Sequence, residues 1–347
     1  MTTKNTGDTY FCPENPPDLI GNFNFDFKSP PKWKNKHIQA PEWFKASFAN
    51  KTHDFPPTMD QLYNIYTKLA DKNAVFHPSL CKQPYKNSKV AILIKYRNRD
   101  IQLRFFFYYM LPILIRQQLE FKIYVIEQIQ DTTFNRAKLI NAGYDLIKNV
   151  ENWDCYTFHD VDLVLENDKM LYRCEENGNP RHLSVAIDKF NYKSSKDGKK
   201  FRWMNELFGG VLQVTGKIFE GVNGYSNKYW GWGGEDDDFY NRVMDYGEIE
   251  LVRPDPKLAR YKMFSHTQQD PPEMERFGKL KDWSSESAKK DGWRQTDYKV
   301  IKRVNEGFFE RIIVDIGDKP DTDELYWKEH WRNYTNKYPV PKHRAGL

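Results

Sequence analysis

Residues 89–129 read KVAILIKYRNRDIQLRFFFYYMLPILIRQQLEFKIYVIEQI, and they contain two strongly apolar runs around a third, longer one. The apolar runs at 89–95 and 121–129 are typical of strands that are buried on both faces of a sheet. Between them, residues 100–119 have the length and apolar content of a buried helix. A strand, a helix and a second strand in this order predict a βαβ unit of a parallel sheet.

The alternation continues on either side of this unit. The pattern predicts helices at 59–72, at 135–148 and from Glu235 onward, and strands at 155–159, near 183–188 and at 210–215. Residues 1–57 are rich in Pro and aromatic side chains, and we expect an extended segment there. No linker separates two domains, so we expect one α/β domain over 58–347.

The composition excludes some classes of protein. The chain has 347 residues, with 53 basic and 48 acidic side chains. This length and the 39% hydrophobic share describe a globular protein, and the nearly balanced charge gives no reason to expect a nucleic-acid partner. Aromatic residues make up 16%, which fits either core packing or stacking on sugars and bases.

Four cysteines leave the compartment open, because they are either two disulfides or scattered thiols. Two N-x-[ST] sequons, at Asn50 and Asn333, favour the secretory pathway. Residues 1–8 do not resemble a signal peptide, and 105–115 is too short to span a bilayer. If the protein is secretory, we expect its anchor to lie outside this sequence.

Polar clusters follow three of the predicted strands, at 95–100, 131–136 and 159–162. Ligands of open parallel sheets bind outside the carboxyl ends of the strands, so one crevice is expected to hold all three clusters.

The cluster Asp160-Val161-Asp162 places two carboxylates on one side of an extended segment. Such a pair suits a divalent cation bound together with phosphate oxygens. Arg97, Arg99 and Arg136 would add guanidinium groups for a diphosphate. The alternative is a pair of solvated loop aspartates beside a surface charge pattern.

A second string, YWGWGGEDDD at 229–238, combines two tryptophans, three glycines and four acids. Acids favour the N-terminus of a helix, which is the simplest interpretation. Four in a row exceed this need, and their crowding is expected to raise a carboxyl pKa. Such a carboxyl beside an indole could bind a sugar and accept a hydroxyl proton.

The sequence resembles a known family, the animal β-1,4-galactosyltransferases. The motifs that carry the resemblance are WGWGGEDDD (230–238), FHDVDLVLEND (158–168), FNRAKL (134–139), YRNR (96–99), RHLSVAIDKF (181–190), FGGV (208–211) and RPD (253–255). The resemblance runs from about Cys12 to Asp318. It implies an α/β GT-A fold with a Rossmann-like sheet and a Mn²⁺-dependent, inverting transfer of a hexose from a UDP-sugar, usually to O4 of terminal GlcNAc.

The resemblance also implies roles for individual residues. It makes Asp236 the general base and Asp162, Met263 and His266 the Mn²⁺ ligands. The implied donor-binding residues are Tyr96, Arg97, Arg99, Phe134, Asn135, Arg136, Val161, Asp162, Trp232 and His266. The implied acceptor-binding residues are Gly234, Glu235, Asp236, Asp237 and Arg276.

The resemblance further implies the disulfides Cys12–Cys81 and Cys155–Cys174, and a catalytic region in the Golgi lumen that belongs to a type II membrane protein. We expect a nucleotide-binding half at about 88–190, an acceptor and metal half at about 191–318, and a C-terminal extension at 319–347.

Leu207 departs from the family pattern, because galactosyltransferases of the family carry Tyr there, where the phenol crowds C2 of the donor. Leucine leaves room for an acetamido group. We therefore expect a β-1,4-N-acetylgalactosaminyltransferase that uses UDP-GalNAc, and the alternative is a galactosyltransferase that uses UDP-Gal. Lys95 and Leu165 replace two family prolines, and we expect neither change to remove a catalytic group.

Three other functions remain open at this stage. A glycosidase would use paired carboxylates without a metal. A lectin-like protein would bind sugars without transferring them. A transferase of the same family could act on xylose or glucose acceptors.

Overall fold

The computed structural model describes residues 11–23, 25, 57–129, 132–192, 208–247, 249–265 and 275–320. Its first helix, α1 (Met59–Tyr66), begins at a capping box between Thr58 and Gln61, in which each side chain binds the other residue's backbone N–H. We predicted this helix as far as residue 72. It ends at Tyr66, and turns follow.

The other elements follow in chain order. They are β1 (Val75–Phe76), β2 (Lys89–Tyr96), α2 (Asp100–Arg116), β3 (Glu120–Gln128), α3 (Arg136–Ile147), β4 (Cys155–Asp160), β5 (Leu163–Leu165), β6 (Arg181–His182), β7 (Ala186–Ile187), β8 (Val211–Val214), α4 (Gly216–Gly221), α5 (Glu235–Asp245), β9 (Arg260–Met263), α6 (Arg276–Lys281), α7 (Ser285–Lys290), β10 (Lys299–Asn305) and β11 (Glu310–Asp315).

The main sheet has the order β10-β11-β3-β2-β4-β8-β6, and β1 pairs with β3. β2 pairs in parallel with β3 and β4, and β11 pairs in parallel with β3. β8 and β10 are antiparallel to their neighbours. The predicted α/β class with a mostly parallel centre is confirmed.

Two predicted boundaries differ from the structure. The helix predicted to residue 119 ends at Arg116, because Gln118 adopts a left-handed φ of 53° that an α-helix does not accommodate. The strand predicted near 183–188 is shorter, since only β7 lies within that range; β6 directly precedes the range and belongs to the other sheet. The β10–β11 hairpin was not predicted, since most side chains of β10 are exposed and show no apolar pattern.

The side chains of β2 alternate between two apolar layers, as burial on both faces requires. Val90, Ile92 and Ile94 pack in the layer that contains α2. Ala91 and Leu93 pack in the layer that contains α3. The next residue on the α3 side is Lys95, so a cation occupies the last position of an apolar row.

A second, smaller sheet has the order β5-β9-β7. Cys12–Cys81 and Cys155–Cys174 are both bonded, with Cα atoms 5.1 and 5.8 Å apart, which confirms the two implied disulfides. The first joins two residues that are 69 positions apart and ties the N-terminal segment to the domain. Among the residues that the structure describes, no helix has both the length and the hydropathy of a membrane span.

Candidate active site

The carboxyl ends of β2, β3 and β4 meet at one edge of the main sheet. Lys95 lies opposite both Ile126 of β3 and Asp160 of β4 in the strand register. Just beyond β2, the buried Arg97 donates a hydrogen bond to the Thr132 carbonyl, and its guanidinium lies 4.8 Å from the centre of the Phe134 ring. The three polar clusters that follow these strands therefore converge, as predicted.

The first acid of the EDDD run, Glu235, pairs with Arg136 at this edge of the sheet. Glu235 is buried, and its Oε1 lies 2.8 Å from Nε of Arg136 at the start of α3. Burial raises the pKa of Glu235, but the Arg136 charge outweighs it and holds the pKa below its ordinary value. This carboxyl is therefore an anion. The crowding that we expected to raise a carboxyl pKa is cancelled at this position by a cation.

The second acid, Asp236, is the carboxyl that crowding does perturb. Burial and the neighbouring Glu235 raise its pKa to about 7, although Lys95 and Arg136 act in the opposite direction. Its side chain remains partly accessible to solvent. A partly accessible carboxyl with a pKa near neutrality has the properties of a general base.

The remaining two acids of the run have different surroundings. Asp237 is partly exposed. Asp238 is buried, lies 2.5 Å from Nε of Arg242, and accepts a hydrogen bond from the Tyr229 hydroxyl. The ion pair to Arg242 lies within α5. The bond from Tyr229 fastens α5, which carries Asp236, to the segment before it.

Gly209 leaves space for the Asp236 carboxyl group. A Cβ atom at position 209 would overlap Asp236 Oδ2. The Gly209 carbonyl accepts hydrogen bonds from Ser184 Oγ at 2.9 Å and from His182 Nε2 at 3.0 Å. These two bonds fix the backbone against which Asp236 packs.

His182 is held in a single tautomer by the Gly209 carbonyl at one ring nitrogen and Arg253 at the other. The Gly209 carbonyl only accepts a hydrogen bond, so Nε2 carries the proton. The Arg253 guanidinium only donates, and its Nη1 lies 3.1 Å from Nδ1. Burial and Arg253 lower the pKa of His182 to about 3, so the ring is neutral. The RHLS, FGGV and RPD motifs thus meet in one buried network.

The tryptophan segment lies beside the start of α6. Trp232 is exposed, and its carbonyl accepts a hydrogen bond of 2.9 Å from Arg276 Nη1. The Arg276 guanidinium also lies 5.1 Å from the centre of the Trp232 ring. Gly233 and Gly234 have φ of 97° and 96°, and Arg276 packs where their side chains would be. The structure therefore places Arg276 next to the predicted acceptor residues.

Two of the three predicted metal ligands are neighbours across the second sheet. Asp162 directly precedes β5, and Met263 ends β9, opposite Leu163. The Phe264 N–H donates to the Asp162 carbonyl at 2.7 Å, which fixes this pairing. The described residues hold no group of three or more His, Cys, Asp and Glu that could bind a metal. His266 and Leu207 lie outside the described residues.

Asp162 and Met263, the two predicted ligands that the structure describes, differ in how well they suit a divalent cation. A carboxylate oxygen is a ligand that Mn²⁺ prefers, whereas a thioether is a soft ligand. The carboxylate partner two residues earlier, Asp160, is already paired with Lys95 at 2.8 Å. The two acids of the DVD motif therefore differ in position: Asp160 ends β4 and pairs with Lys95, whereas Asp162 lies beside the end of β9.

Several predicted donor residues also have structural contacts. Asn135 is fully buried and caps α3, since its side chain accepts from the Lys138 N–H. Tyr96 and Val161 are buried in the core layer that contains α2. Arg99 immediately precedes α2.

Sequence reasoning did not assign roles to Lys95 or Gly209. The signal for Lys95 was a charged residue at the end of an otherwise apolar strand. The signal for Gly209 was a double glycine before a strand, which indicates a close approach by another group.

Comparison with known proteins identifies the family. A model described as the N-terminal region of glycosyl transferase group 7 matches residues 45–175. A second model, described as the N-terminal domain of galactosyltransferase, matches residues 181–267.

Among curated relatives, human β-1,4-galactosyltransferase 2 is 40% identical over 234 residues, which are 67% of this chain and 60% of the relative. Mouse β-1,4-galactosyltransferase 1 is 39% identical over 70% of this chain and 57% of the relative. β-1,4-Galactosyltransferase 2 of Cricetulus griseus is 35% identical over 88% of this chain and 72% of the relative. The chain thus spans 57–72% of the length of these relatives.

Solved structures give the same result. The catalytic domain of Drosophila β-1,4-galactosyltransferase 7, in complex with xylobiose, is 27% identical with a TM-score of 0.56. The match covers 69% of this chain and 98% of the Drosophila chain. A mutant of that enzyme, in complex with manganese, UDP-Gal and xylobiose, is 26% identical with a TM-score of 0.52 over the same shares. With the convergent motifs and the α/β sheet, these matches show that the chain belongs to the animal β-1,4-galactosyltransferase family of group 7 glycosyltransferases.

Proposed function

We propose that this chain is the catalytic region of a β-1,4-galactosyltransferase, which transfers galactose from UDP-Gal to O4 of a sugar acceptor. The observation that carries the proposal is Asp236, a partly accessible carboxyl whose pKa of about 7 results from burial and from the adjacent Glu235. The named relatives are galactosyltransferases, and one solved neighbour was crystallised with UDP-Gal, which supports this donor.

In the proposed reaction, the acceptor O4 attacks the anomeric carbon from the face opposite the diphosphate. The new C1–O4 bond forms as the C1–O bond to UDP breaks, and that electron pair leaves with UDP. The O4 proton passes to Asp236, which acts as general base. A single displacement of this kind inverts the configuration at the anomeric carbon.

Charge at the edge of the sheet would bind the donor. Arg97, Arg99 and Arg136 supply guanidinium groups for the diphosphate. We assign Tyr96, Phe134, Asn135, Val161, Asp162, Trp232 and His266 to the same donor site. Asn135 would act by fixing the start of α3, and therefore the position of Arg136.

Asp162 and Met263, with His266, would hold Mn²⁺. When bound, this ion supplies Lewis-acid stabilisation of a diphosphate leaving group. The manganese in a solved neighbour supports this choice of cation.

The acceptor would bind between α5 and the tryptophan segment. Gly234, Glu235 and Asp237 lie next to Asp236, and the Arg276 guanidinium contacts the Trp232 ring. An exposed indole beside a cation suits the apolar face and the hydroxyls of a sugar ring. We propose terminal GlcNAc of a glycoprotein or glycolipid as acceptor. The xylobiose complexes of the Drosophila neighbours make xylosides the second class to test.

A second donor, UDP-GalNAc, is favoured by one observation. Leu207 stands directly before Phe208-Gly209-Gly210, where the resembled galactosyltransferases carry Tyr. The smaller side chain would leave room for an acetamido group at C2 of the donor.

We place the enzyme in the Golgi lumen as part of a type II membrane protein. The two disulfides support an oxidising compartment. Within the chain we propose a nucleotide-binding half at about 88–190 and an acceptor and metal half at about 191–318, between the N-terminal segment and a C-terminal extension.

A matrix of donors and acceptors tests the proposal. UDP-Gal and UDP-GalNAc are each assayed against GlcNAc, glucose and xylose glycosides, with and without Mn²⁺, for wild type and Asp236→Asn. We expect Mn²⁺-dependent transfer that the substitution nearly abolishes. Hydrolysis of oligosaccharides that resists EDTA would favour a glycosidase. Sugar binding without transfer, unchanged in Asp236→Asn, would favour a lectin.

A further inference from the structure

A buried cation lies at the centre of the acidic site. Lys95 is 8% exposed, and its Nζ lies 2.8 Å from Asp160 Oδ1. It is the last residue on the α3 face of β2, directly opposite Asp160 in the strand register. An ammonium in this position has little contact with solvent, so the carboxylates around it are its partners.

The same cation acts on Asp236. Burial lowers the pKa of Lys95, but the charges of Asp160 and Asp236 outweigh this effect and hold the pKa above its ordinary value. Lys95 is therefore charged at neutral pH. The Lys95 charge lowers the pKa of Asp236, whereas burial raises it.

The backbone links the two carboxyl groups. The Asp160 N–H donates to the Gly210 carbonyl at 2.9 Å. The preceding residue, Gly209, lies directly against the Asp236 carboxyl. Asp160 and Asp236 therefore contact adjacent residues of one backbone segment, Asp160 at Gly210 and Asp236 at Gly209.

We propose that Lys95 is a positioning residue of the transfer reaction: it neutralises Asp160 and, through its charge, keeps Asp236 available as an anionic base. The inference rests on the proposed function, in which Asp236 accepts the O4 proton.

Other charged and titratable groups act on Asp236, and each has a defined effect or partner. Glu235 on the same helix and Asp160 on β4 raise its pKa. Arg136 on α3 lowers it but is paired with Glu235 at 2.8 Å. Tyr225 is fully buried, and its pKa lies well above its ordinary value, so it is neutral at pH 7. Of the two cations Lys95 and Arg136, Lys95 has the larger lowering effect on the pKa of Asp236, and Arg136 is also paired with Glu235.

The test is the titration of Asp236 in metal-free protein, followed by ¹³C NMR of labelled aspartate carboxyls and assigned by the signal lost in Asp236→Asn. Lys95→Met and Lys95→Gln remove the charge, and the Gln variant keeps a donor for Asp160. We expect both to move the Asp236 midpoint upward by about one pH unit. Lys95→Arg keeps the charge and should leave the midpoint within a few tenths of a unit.

Lys122→Met is the matched control. Lys122 is also buried, and it pairs with Glu151 and Glu310 at the opposite end of the strands. Its replacement should lower stability without moving the Asp236 midpoint. A midpoint that is unchanged in both neutral Lys95 variants, or one that moves as much in Lys122→Met, would overturn the proposal.

The acid limb of kcat/KM with UDP-Gal should move in the same direction in Lys95→Met, so that activity lost at pH 7 returns at higher pH. A uniform loss at every pH would contradict the positioning role. The NMR titration needs neither donor nor metal. If the Asp236 midpoint shifts as expected in the Lys95 variants but the wild-type protein transfers no sugar, the proposed function is rejected. The effect of the Lys95 charge on Asp236 would still hold.

Discussion

The Arg136 guanidinium lies 2.8 Å from the buried Glu235 carboxylate and joins the start of α3 to the start of α5. This ion pair connects the side of the site assigned to the nucleotide with the side assigned to the acceptor. It also leaves Asp236, the next residue, as the acid with the pKa near neutrality.

Arg136→Met should destabilise the protein by about 3 kcal/mol, because it leaves a buried carboxylate without a partner. Glu235→Gln combined with Arg136→Met should recover part of this loss. Urea unfolding at pH 7.5 measures both variants. Arg311→Met is the control, since its pair with Glu127 is more exposed, and it should cost less than about 1 kcal/mol. Equal costs for the two single variants would contradict this account of the pair.

Gly209→Ala should reduce kcat by roughly a hundredfold, because the new methyl group would displace the Asp236 carboxyl. Steady-state transfer kinetics measure the loss. The same change made in an Asp236→Asn background should cost little more, since both substitutions remove the same group. Additive losses would show that Gly209 acts independently of Asp236.

Asp236→Asn should stabilise the protein at pH 8 by on the order of 2 kcal/mol, with little effect near pH 4. The native pKa of about 7 exceeds the ordinary aspartate value, so the native state binds the extra proton between about pH 4 and 7. Wild-type stability is therefore lost as pH rises through this window, and asparagine removes that loss. Thermal unfolding across pH 4–8 checks the sign, and a stability difference that does not vary with pH would refute it.

Much of the fold could be predicted from local pattern. The buried strands β2, β3 and β4 and the helices between them have strong periodicity and differ from the prediction by at most three residues at either end. The β10–β11 hairpin escaped prediction because the exposed side chains of β10 carry no apolar alternation. Its place beside β3 depends on pairing with residues almost two hundred positions earlier, which periodicity does not report.

The sequence predicted which residues belong to the site better than it predicted which of them contact each other. Sequence spacing and the family resemblance indicated Asp236, Asp162 and the arginines. They did not indicate that Glu235 pairs with Arg136 or that Lys95 pairs with Asp160, because these contacts join distant strands and helices. The pKa of Glu235 is lowered by its Arg136 partner, whereas burial and Glu235 raise that of Asp236, so the sequence run EDDD could not assign these directions.

Leu207→Tyr should raise the use of UDP-Gal relative to UDP-GalNAc by roughly tenfold or more, since the phenol would crowd an acetamido group. The ratio of kcat/KM for the two donors, measured with one acceptor, reports the change. Leu207→Ile keeps an aliphatic side chain and should leave the ratio close to that of wild type. A ratio that Tyr does not alter would remove the basis for UDP-GalNAc as donor.

The decisive measurement for Asp236 as general base is the pH dependence of kcat/KM for transfer from UDP-Gal in the presence of Mn²⁺. A general base at Asp236 predicts activity that rises with pH through a single limb with its midpoint near 7, and Asp236→Asn should remove nearly all activity along with that limb. A limb near pH 4, or substantial activity without the Asp236 carboxyl, would contradict the assignment of Asp236 as the base.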